Sequence, residues 1–212
     1  MNTSINSCRS SRPDGFTVNT PGKQPAVFLD RDGVLNSTDG FVNSPEDLDR
    51  ALMPASLAAI AKLSQQSDFP IILVTNQGGI DIGKFTPEQN QAIQERLAQR
   101  VEEAGGRMDS IYFCPNGKKF QLPEGDADGR KPDAGMFYQA AKDYGPRIDL
   151  ADSYMVGDMT TDIGAGNKAG ATTILVETGF AGKDGKCDAK PDHVAKDLGA
   201  AVDWILGDLR SP

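Results

Sequence analysis

Apolar positions along this chain fall into short unbroken runs separated by longer stretches of mixed polarity. Ala26-Val27-Phe28-Leu29 ends in Asp30, and Pro70-Ile71-Ile72-Leu73-Val74 ends in Thr75-Asn76-Gln77-Gly78-Gly79. Ile111-Tyr112-Phe113 ends in Cys114-Pro115, Ser153-Tyr154-Met155-Val156 in Gly157-Asp158, and Thr172-Thr173-Ile174-Leu175-Val176 closes the series. Continuous apolar runs of this length are the pattern of strands buried on both faces. The stretches between them read as helices. Residues 55–63 are rich in Ala and Leu, and 86–104 opens with Thr86-Pro87-Glu88, an N-cap followed by proline at the first helical position. Residues 133–144 and 161–169 follow, and 195–209 carries Leu198, Ala201, Val202, Ile205 and Leu206 at helical spacing. Strand alternating with helix predicts an α/β fold built on a Rossmann-like, doubly wound parallel sheet. Segments 36–49 and 116–130 show neither period and are expected to be loops, of a length that usually serves function. Residues 1–24, almost devoid of apolar side chains, predict a flexible tail ahead of one domain over 25–212.

Composition narrows the class. The 212 residues are 38% hydrophobic and 25% charged, enough to bury a core. Lys and Arg number 22 against 30 Asp and Glu, a formal charge of −8, which argues against a general electrostatic grip on nucleic acid or an anionic membrane. No run is long enough to span a bilayer, and the first residues lack the apolar segment of a secretory signal. The three cysteines, Cys8, Cys114 and Cys187, are odd in number and far apart, which suits a reducing cytoplasm. One histidine, His193, excludes a His-rich metal centre and is expected to be structural. Trp204 is expected to be partly buried packing and Cys187 a loop thiol.

The candidate chemistry gathers where strands end. In an open parallel sheet, ligands bind outside the carboxyl ends of the strands. Those ends carry Asp30 and Asp32, Thr75 and Asn76, and Asp158, with Asp162 one helical turn further on. Asp30 and Asp32 would point apart in an extended strand, but both can face one cleft if the strand ends between them, and Gly33 permits the turn. Gathered carboxylates raise one another's pKa unless a cation holds them, and an all-oxygen set suits a hard cation such as Mg²⁺. The plainer alternative is that Asp158 and Asp162 cap the following helix. Thr75, Asn76 and the amides of Gln77 to Gly79 can donate to phosphate oxygens, and Lys131, fixed by Pro132, can supply a positive charge.

Together these residues resemble the four motifs of the haloacid-dehalogenase (HAD) superfamily of aspartate-nucleophile phosphatases. Phe28-Leu29-Asp30-Arg31-Asp32-Gly33-Val34-Leu35-Asn36 matches the first motif and Val74-Thr75-Asn76-Gln77 the second. Lys131-Pro132 matches the third and Val156-Gly157-Asp158-Met159-Thr160-Thr161-Asp162 the fourth. Within the superfamily, LDRDGVLN, Asp39-Gly40-Phe41-Val42, VTNQGGI, Cys-Pro and Arg-Lys-Pro are similar to the heptose-bisphosphate and histidinol-phosphate phosphatase branch, whose members lack a large cap domain. The resemblance implies that Asp30 is the nucleophile and that Asp32 is the acid/base, with a pKa raised toward neutrality by the surrounding acidity. It implies Mg²⁺ on Asp30, Asp158 and the Asp32 carbonyl, with Asp162 behind them, and phosphoryl oxygens held by Thr75 and Lys131. Substrate contacts are expected from Thr38, Asp39, Gly40, Phe41, Thr75, Asn76, Gln77, Gly78, Arg130 and Lys131.

Members of the branch often carry a zinc loop before Arg-Lys-Pro. Here only Cys114 of its four ligands remains, with Asn116, Ala127 and Gly129 in the other places, and one thiolate cannot build a tetrahedral site. No zinc is expected. The resulting expectation is a cytoplasmic, monomeric, Mg²⁺-dependent phosphatase of carbohydrate metabolism that hydrolyses a small sugar phosphate such as heptose 1,7-bisphosphate. The enzymatic alternatives are a histidinol-phosphate phosphatase and a polynucleotide 3′-phosphatase, the latter disfavoured by charge despite Lys118-Lys119. A receiver-type phospho-aspartate switch is the non-enzymatic alternative, and Asp32 argues against it, since storing a phosphoryl group needs no acid/base.

Overall fold

The computed structural model describes residues 22–115 and 129–209. The Cys8 position, Lys118, Lys119, Asn116, Ala127 and nearly all of the expected tail lie outside the described residues. The five apolar runs form β1 (Val27–Leu29), β2 (Ile71–Asn76), β3 (Ser110–Cys114), β4 (Tyr154–Gly157) and β5 (Thr172–Val176). A sixth strand, β6 (His193–Ala195), was not expected, and the sequence pattern started a helix at its last residue. It is three residues long, pairs only with β5 at the sheet edge and leaves Val194 half exposed, so it has almost no hydrophobic signature. The order is β3-β2-β1-β4-β5-β6 with every pair parallel.

The helices are α1 (Pro45–Ala51), α2 (Pro54–Gln66), α3 (Pro87–Glu103), α4 (Gly135–Tyr144), α5 (Thr160–Ala169) and α6 (Leu198–Asp208). Helix α1 corrects the expectation of a loop over 36–49. Its signals are local: Ser44 Oγ accepts from Asp47 N at 3.1 Å, Pro45 opens the first turn, and Glu46 and Asp47 complement the positive end. Only Leu48 of its seven residues is buried, so no apolar period marks it. Helix α3 has the expected Thr86 cap, reinforced by the Gln89 side chain accepting from Thr86 N. Asp197 caps α6 by accepting from Ala200 N at 2.9 Å.

Alternation along the strands divides the core. Val27, Leu29, Ile71, Leu73 and Val156 pack under α2, α3 and α6, whereas Phe28, Ile72, Val74 and Met155 pack under α4 and α5. Phe28 meets Phe137 with ring centroids 4.6 Å apart. Each fully buried Leu or Phe contributes roughly 1.5–3 kcal/mol, so a strand as short as β1 is still firmly anchored. The chain builds outward from β1 to β2 and β3, then crosses back to lay β4 on the other side of β1. That reversal opens a crevice at the carboxyl ends of β1 and β4. Leu29 is in register with Val156, and Asp30 N donates to Val156 O at 3.0 Å. Asp30 and Asp158 therefore leave adjacent strands side by side.

On the periphery, the His193 ring stacks on half-buried Trp204 at 4.7 Å, in keeping with structural roles for both. Cys187 sits in the loop after β5, with its Sγ 2.9 Å from Thr160 O. No helix among the described residues is long and apolar enough to cross a membrane.

Candidate active site

Three buried carboxylates meet at the crevice. Asp30, Asp158 and Asp162 each offer an oxygen, and these atoms lie within 4.8 Å of one another. Lys131, delivered by the segment before α4, enters the group from the side. Its Nζ lies 2.7 Å from Asp30 Oδ1, 2.7 Å from Asp162 Oδ1 and 2.8 Å from Val74 O, which occupies all three protons. Asn76 fixes the lysine's backbone: its Oδ1 accepts from Lys131 N at 2.9 Å and its Nδ2 donates to Lys131 O at 3.0 Å. The expectation that the Asn76 amide serves as a phosphate donor is thus modified, because the amide holds Lys131 in place.

Three carboxylates against one ammonium leave two negative charges in a buried site. Burial, and then repulsion from Asp30, push the Asp158 carboxyl up to about 8, although the Phe180 amide opposes the shift. Burial also raises Asp30 well above the usual carboxylate range despite the attraction of Lys131. Burial acts to lower Lys131, but Asp162 and Asp30 outweigh it and raise its pKa. Asp162 is the helix cap of the plainer reading, its Oδ2 accepting from Met159 N at 2.9 Å, while its Oδ1 faces Lys131. The site fits a hard divalent cation on two grounds. Asp158 Oδ1 is buried without a hydrogen-bond partner, and the surrounding donors are oxygens.

The shifts set a testable pH window. A carboxyl raised in the folded state stabilises the fold below its ordinary pKa, and that contribution fades as pH rises through the folded value. For Asp158 the window runs from about 4 to about 8. Metal-free protein should therefore lose thermal stability across this range, while a cation that binds the ionised carboxylates restores it. At an Mg²⁺ concentration about a hundredfold above its pH 8 Kd we expect the midpoint to rise by about 5–10 °C at pH 8 and, because protonation weakens binding, hardly at all at pH 5. Thermal scans with Mg²⁺ and with chelator at both pH values check this.

Asp32 behaves differently from the expectation. Burial acts to raise its pKa, but the Arg31 guanidinium and hydrogen bonds from Asn36, Arg31 and Gln77 hold it below the usual range. Arg31 Nη2 lies 3.0 Å from both Asp32 oxygens, Asn36 Nδ2 donates at 3.0 Å and Gln77 Nε2 at 3.2 Å. The anticipated excess of acidity does not reach it because its own sequence neighbour, almost wholly buried, neutralises it.

Beside the acidic cluster lies a cleft of about 390 Å³, within the usual size of small-molecule sites. Asp32, Thr38, Asp39, Gly40, Phe41, Asn76 and Gln77 line it. Thr75 and Lys131 are buried and do not line it; Gln77 Nε2 links Thr75 Oγ1, at 2.8 Å, to Asp32. Gly78 and Arg130 are also absent from its lining. Sequence reasoning missed Phe85 and Phe180 as walls. The available signal for Phe180 was its place at the carboxyl end of β5, beside β4.

This fold and constellation define a class: a Rossmann-like α/β protein with paired acidic motifs and a lysine at the switch point of a parallel sheet. A HAD-hydrolase-like family model matches residues 129–201. The chain is 40% identical over 199 residues to a D-glycero-D-manno-heptose-1,7-bisphosphate 7-phosphatase of Thermosynechococcus vestitus, covering 88% of this chain and 97% of that protein. The corresponding D-glycero-beta-D-manno enzyme of Bordetella bronchiseptica is 36% identical over 183 residues, 85% of this chain and 97% of its own. A crystal structure of the B. bronchiseptica phosphatase with magnesium and phosphate superposes with a TM-score of 0.73 at 34% identity, over 87% of this chain and 99% of that one. The chain belongs to this family of HAD-like phosphatases, the heptose-bisphosphate phosphatases. The switch, histidinol-phosphate and polynucleotide alternatives are not favoured by these relatives.

Proposed function

We propose that this protein removes the 7-phosphate of D-glycero-D-manno-heptose 1,7-bisphosphate through an aspartyl-phosphate intermediate. The observation that carries the reading is the pairing of Asp30 and Asp158 on neighbouring strand ends around Lys131, in a chain 40% identical to a phosphatase of that specificity. An Asp30 oxygen attacks phosphorus, the bond from phosphorus to the sugar oxygen breaks, and Asp32 gives its proton to the departing alkoxide. Water then attacks the acyl phosphate as Asp32 takes a proton from it, which releases inorganic phosphate and restores Asp30. An ionised Asp32 held by Arg31 and Gln77 suits the second step; the first requires it to leave Arg31 and take up a proton. Lys131 opposes the protonation of Asp30 that burial favours and, with Thr75, would turn to the phosphoryl oxygens by giving up one of its present partners. Asp30, Asp158 and the Asp32 carbonyl would hold Mg²⁺, with Asp162 behind them, and the ion when bound offsets the negative charge of the phosphoryl group.

Thr38, Asp39, Gly40, Phe41, Gln77 and Gly78, with Arg130, are proposed to contact the sugar and its second phosphate. A monomer in a cytoplasmic setting completes the proposal, and the odd, widely spaced cysteines support the setting. The segment after β3 does without zinc on this reading, because Cys114 is the one thiol among the four ligand places and Ala127 and Gly129 have no ligand atom to offer. Elemental analysis of purified protein should find no stoichiometric zinc, and one zinc per chain would contradict the reading.

The experiment for the substrate is steady-state phosphate release from heptose 1,7-bisphosphate, histidinol phosphate and a 3′-phosphorylated oligonucleotide, with Mg²⁺ and with chelator. We expect multiple turnovers, Mg²⁺ dependence, and a kcat/KM for the heptose ester about 100-fold or more above the others. A preference for either competitor overturns the substrate, and a single stoichiometric burst overturns the phosphatase reading.

A further inference from the structure

We infer that the turn leaving β5, residues 178–182, positions Asp158 for its cation and at the same time walls the cleft, so that one short segment governs both. The inference rests on the reading of Asp158 as a cation ligand. Phe180 N donates to Asp158 Oδ2 at 2.7 Å and Gly182 N donates to Asp158 O at 2.7 Å, so the turn grips both ends of the residue. Thr178 Oγ1 donates to Gly33 O at 2.6 Å and ties the turn to the loop after β1.

Two glycines complete the mould. Gly33 and Gly179 adopt φ of +83° and +60°, a region that favours glycine. A Cβ on either one would lie 2.1 Å from Asp158 Oδ2, and a Cβ on Gly179 would also lie 2.7 Å from Gly33 Cα. Neither position has room for a methyl group without displacing the carboxylate or backbone. The Asp158 carboxylate is thus sandwiched between two backbones with Oδ2 committed to Phe180 N, and Oδ1 is the oxygen left without a partner. A ligand presenting one oxygen in a fixed direction needs no reordering when a cation arrives, and such supporting contacts commonly govern metal affinity by 10- to 100-fold. The Phe180 side chain, half exposed, faces the cleft alongside Phe41 and Phe85. The main chain of Phe180 therefore serves the cation site and its ring serves the substrate.

Separating these two roles is the test. Binding of Mn²⁺ as the probe cation, measured by electron paramagnetic resonance on folded protein without substrate, should weaken about tenfold or more in Gly179→Ala. Phe180→Ala keeps the N–H, so its Mn²⁺ affinity should stay within about twofold of the unmutated protein while KM for the phosphate ester rises several-fold. Should Gly179→Ala fail to fold, Thr178→Val, which removes only the tie to Gly33, decides the matter by a several-fold loss of Mn²⁺ affinity. Undiminished Mn²⁺ affinity in folded Gly179→Ala, or in Thr178→Val if that variant must decide, overturns the inference. An equal loss in Phe180→Ala overturns the assignment to the main chain. If the unmutated protein binds no Mn²⁺, both the inference and the cation-site reading fall; if it binds Mn²⁺ and only the variants behave like it, the reading stands and the inference alone fails.

Discussion

Asp30→Asn is expected to leave a folded protein whose kcat on phosphate esters is at least about 10⁴-fold lower. The amide matches the carboxylate in shape but cannot form the acyl phosphate on which the proposed reaction depends. The fold should tolerate the exchange because it removes a buried charge, and Lys131 keeps Asp162 and the Val74 carbonyl as partners. Steady-state assays with a thermal melt of the same sample check both halves. Turnover within about tenfold of the unmutated enzyme would remove Asp30 from the role of nucleophile.

Lys131→Met should produce the largest loss of stability. The apolar replacement leaves Asp30 and Asp162 buried, like-charged and without their shared ammonium, next to Asp158. Removing one partner from a buried pair typically costs about 3–5 kcal/mol. The loss should depend on pH with a definite sign. Without Lys131 the raised pKa values of Asp30 and Asp158 rise further, so these two groups are neutral and tolerated at pH 5, and the destabilisation grows as pH rises toward 8. Denaturant titrations of the metal-free protein at the two pH values measure it. A loss of equal size at both would mean that Lys131 contributes through packing and not through charge. Activity should disappear in this variant at either pH.

The sequence disclosed the site's carboxylates and lysine because β1, β2 and β4 are buried on both faces. Their uninterrupted apolar runs end abruptly at Asp30, Thr75 and Asp158, and in a parallel sheet those ends share one edge. Less visible were features made by contacts distant in sequence. Phe180 meets Asp158 from 22 residues further along the chain, beyond α5 and β5, with Gly179 beside it, and nothing in the local pattern of Thr-Gly-Phe marks a carboxylate as their partner. Asn76 read as a donor because its chemistry permits it, yet its amide is taken by the backbone of Lys131, 55 residues away. Arg31 was in plain view between two aspartates, but which of them it would neutralise depended on where β1 stops. The strand ends at Leu29, and in the turn that follows Arg31 pairs with Asp32 while Asp30 pairs with Lys131. Helix α1 and β6 escaped for a simpler reason, since one buried leucine and a three-residue edge strand carry too little apolar pattern to register.

A crystal structure of the protein grown with Mg²⁺ and beryllium fluoride would probe the heart of the proposal most directly. The fluoride adduct, a mimic of the phosphoryl group, should be bonded to the Asp30 carboxylate with one magnesium ion between Asp30 and Asp158. An adduct on another carboxylate, or a magnesium ion that does not touch both of these residues, would contradict it.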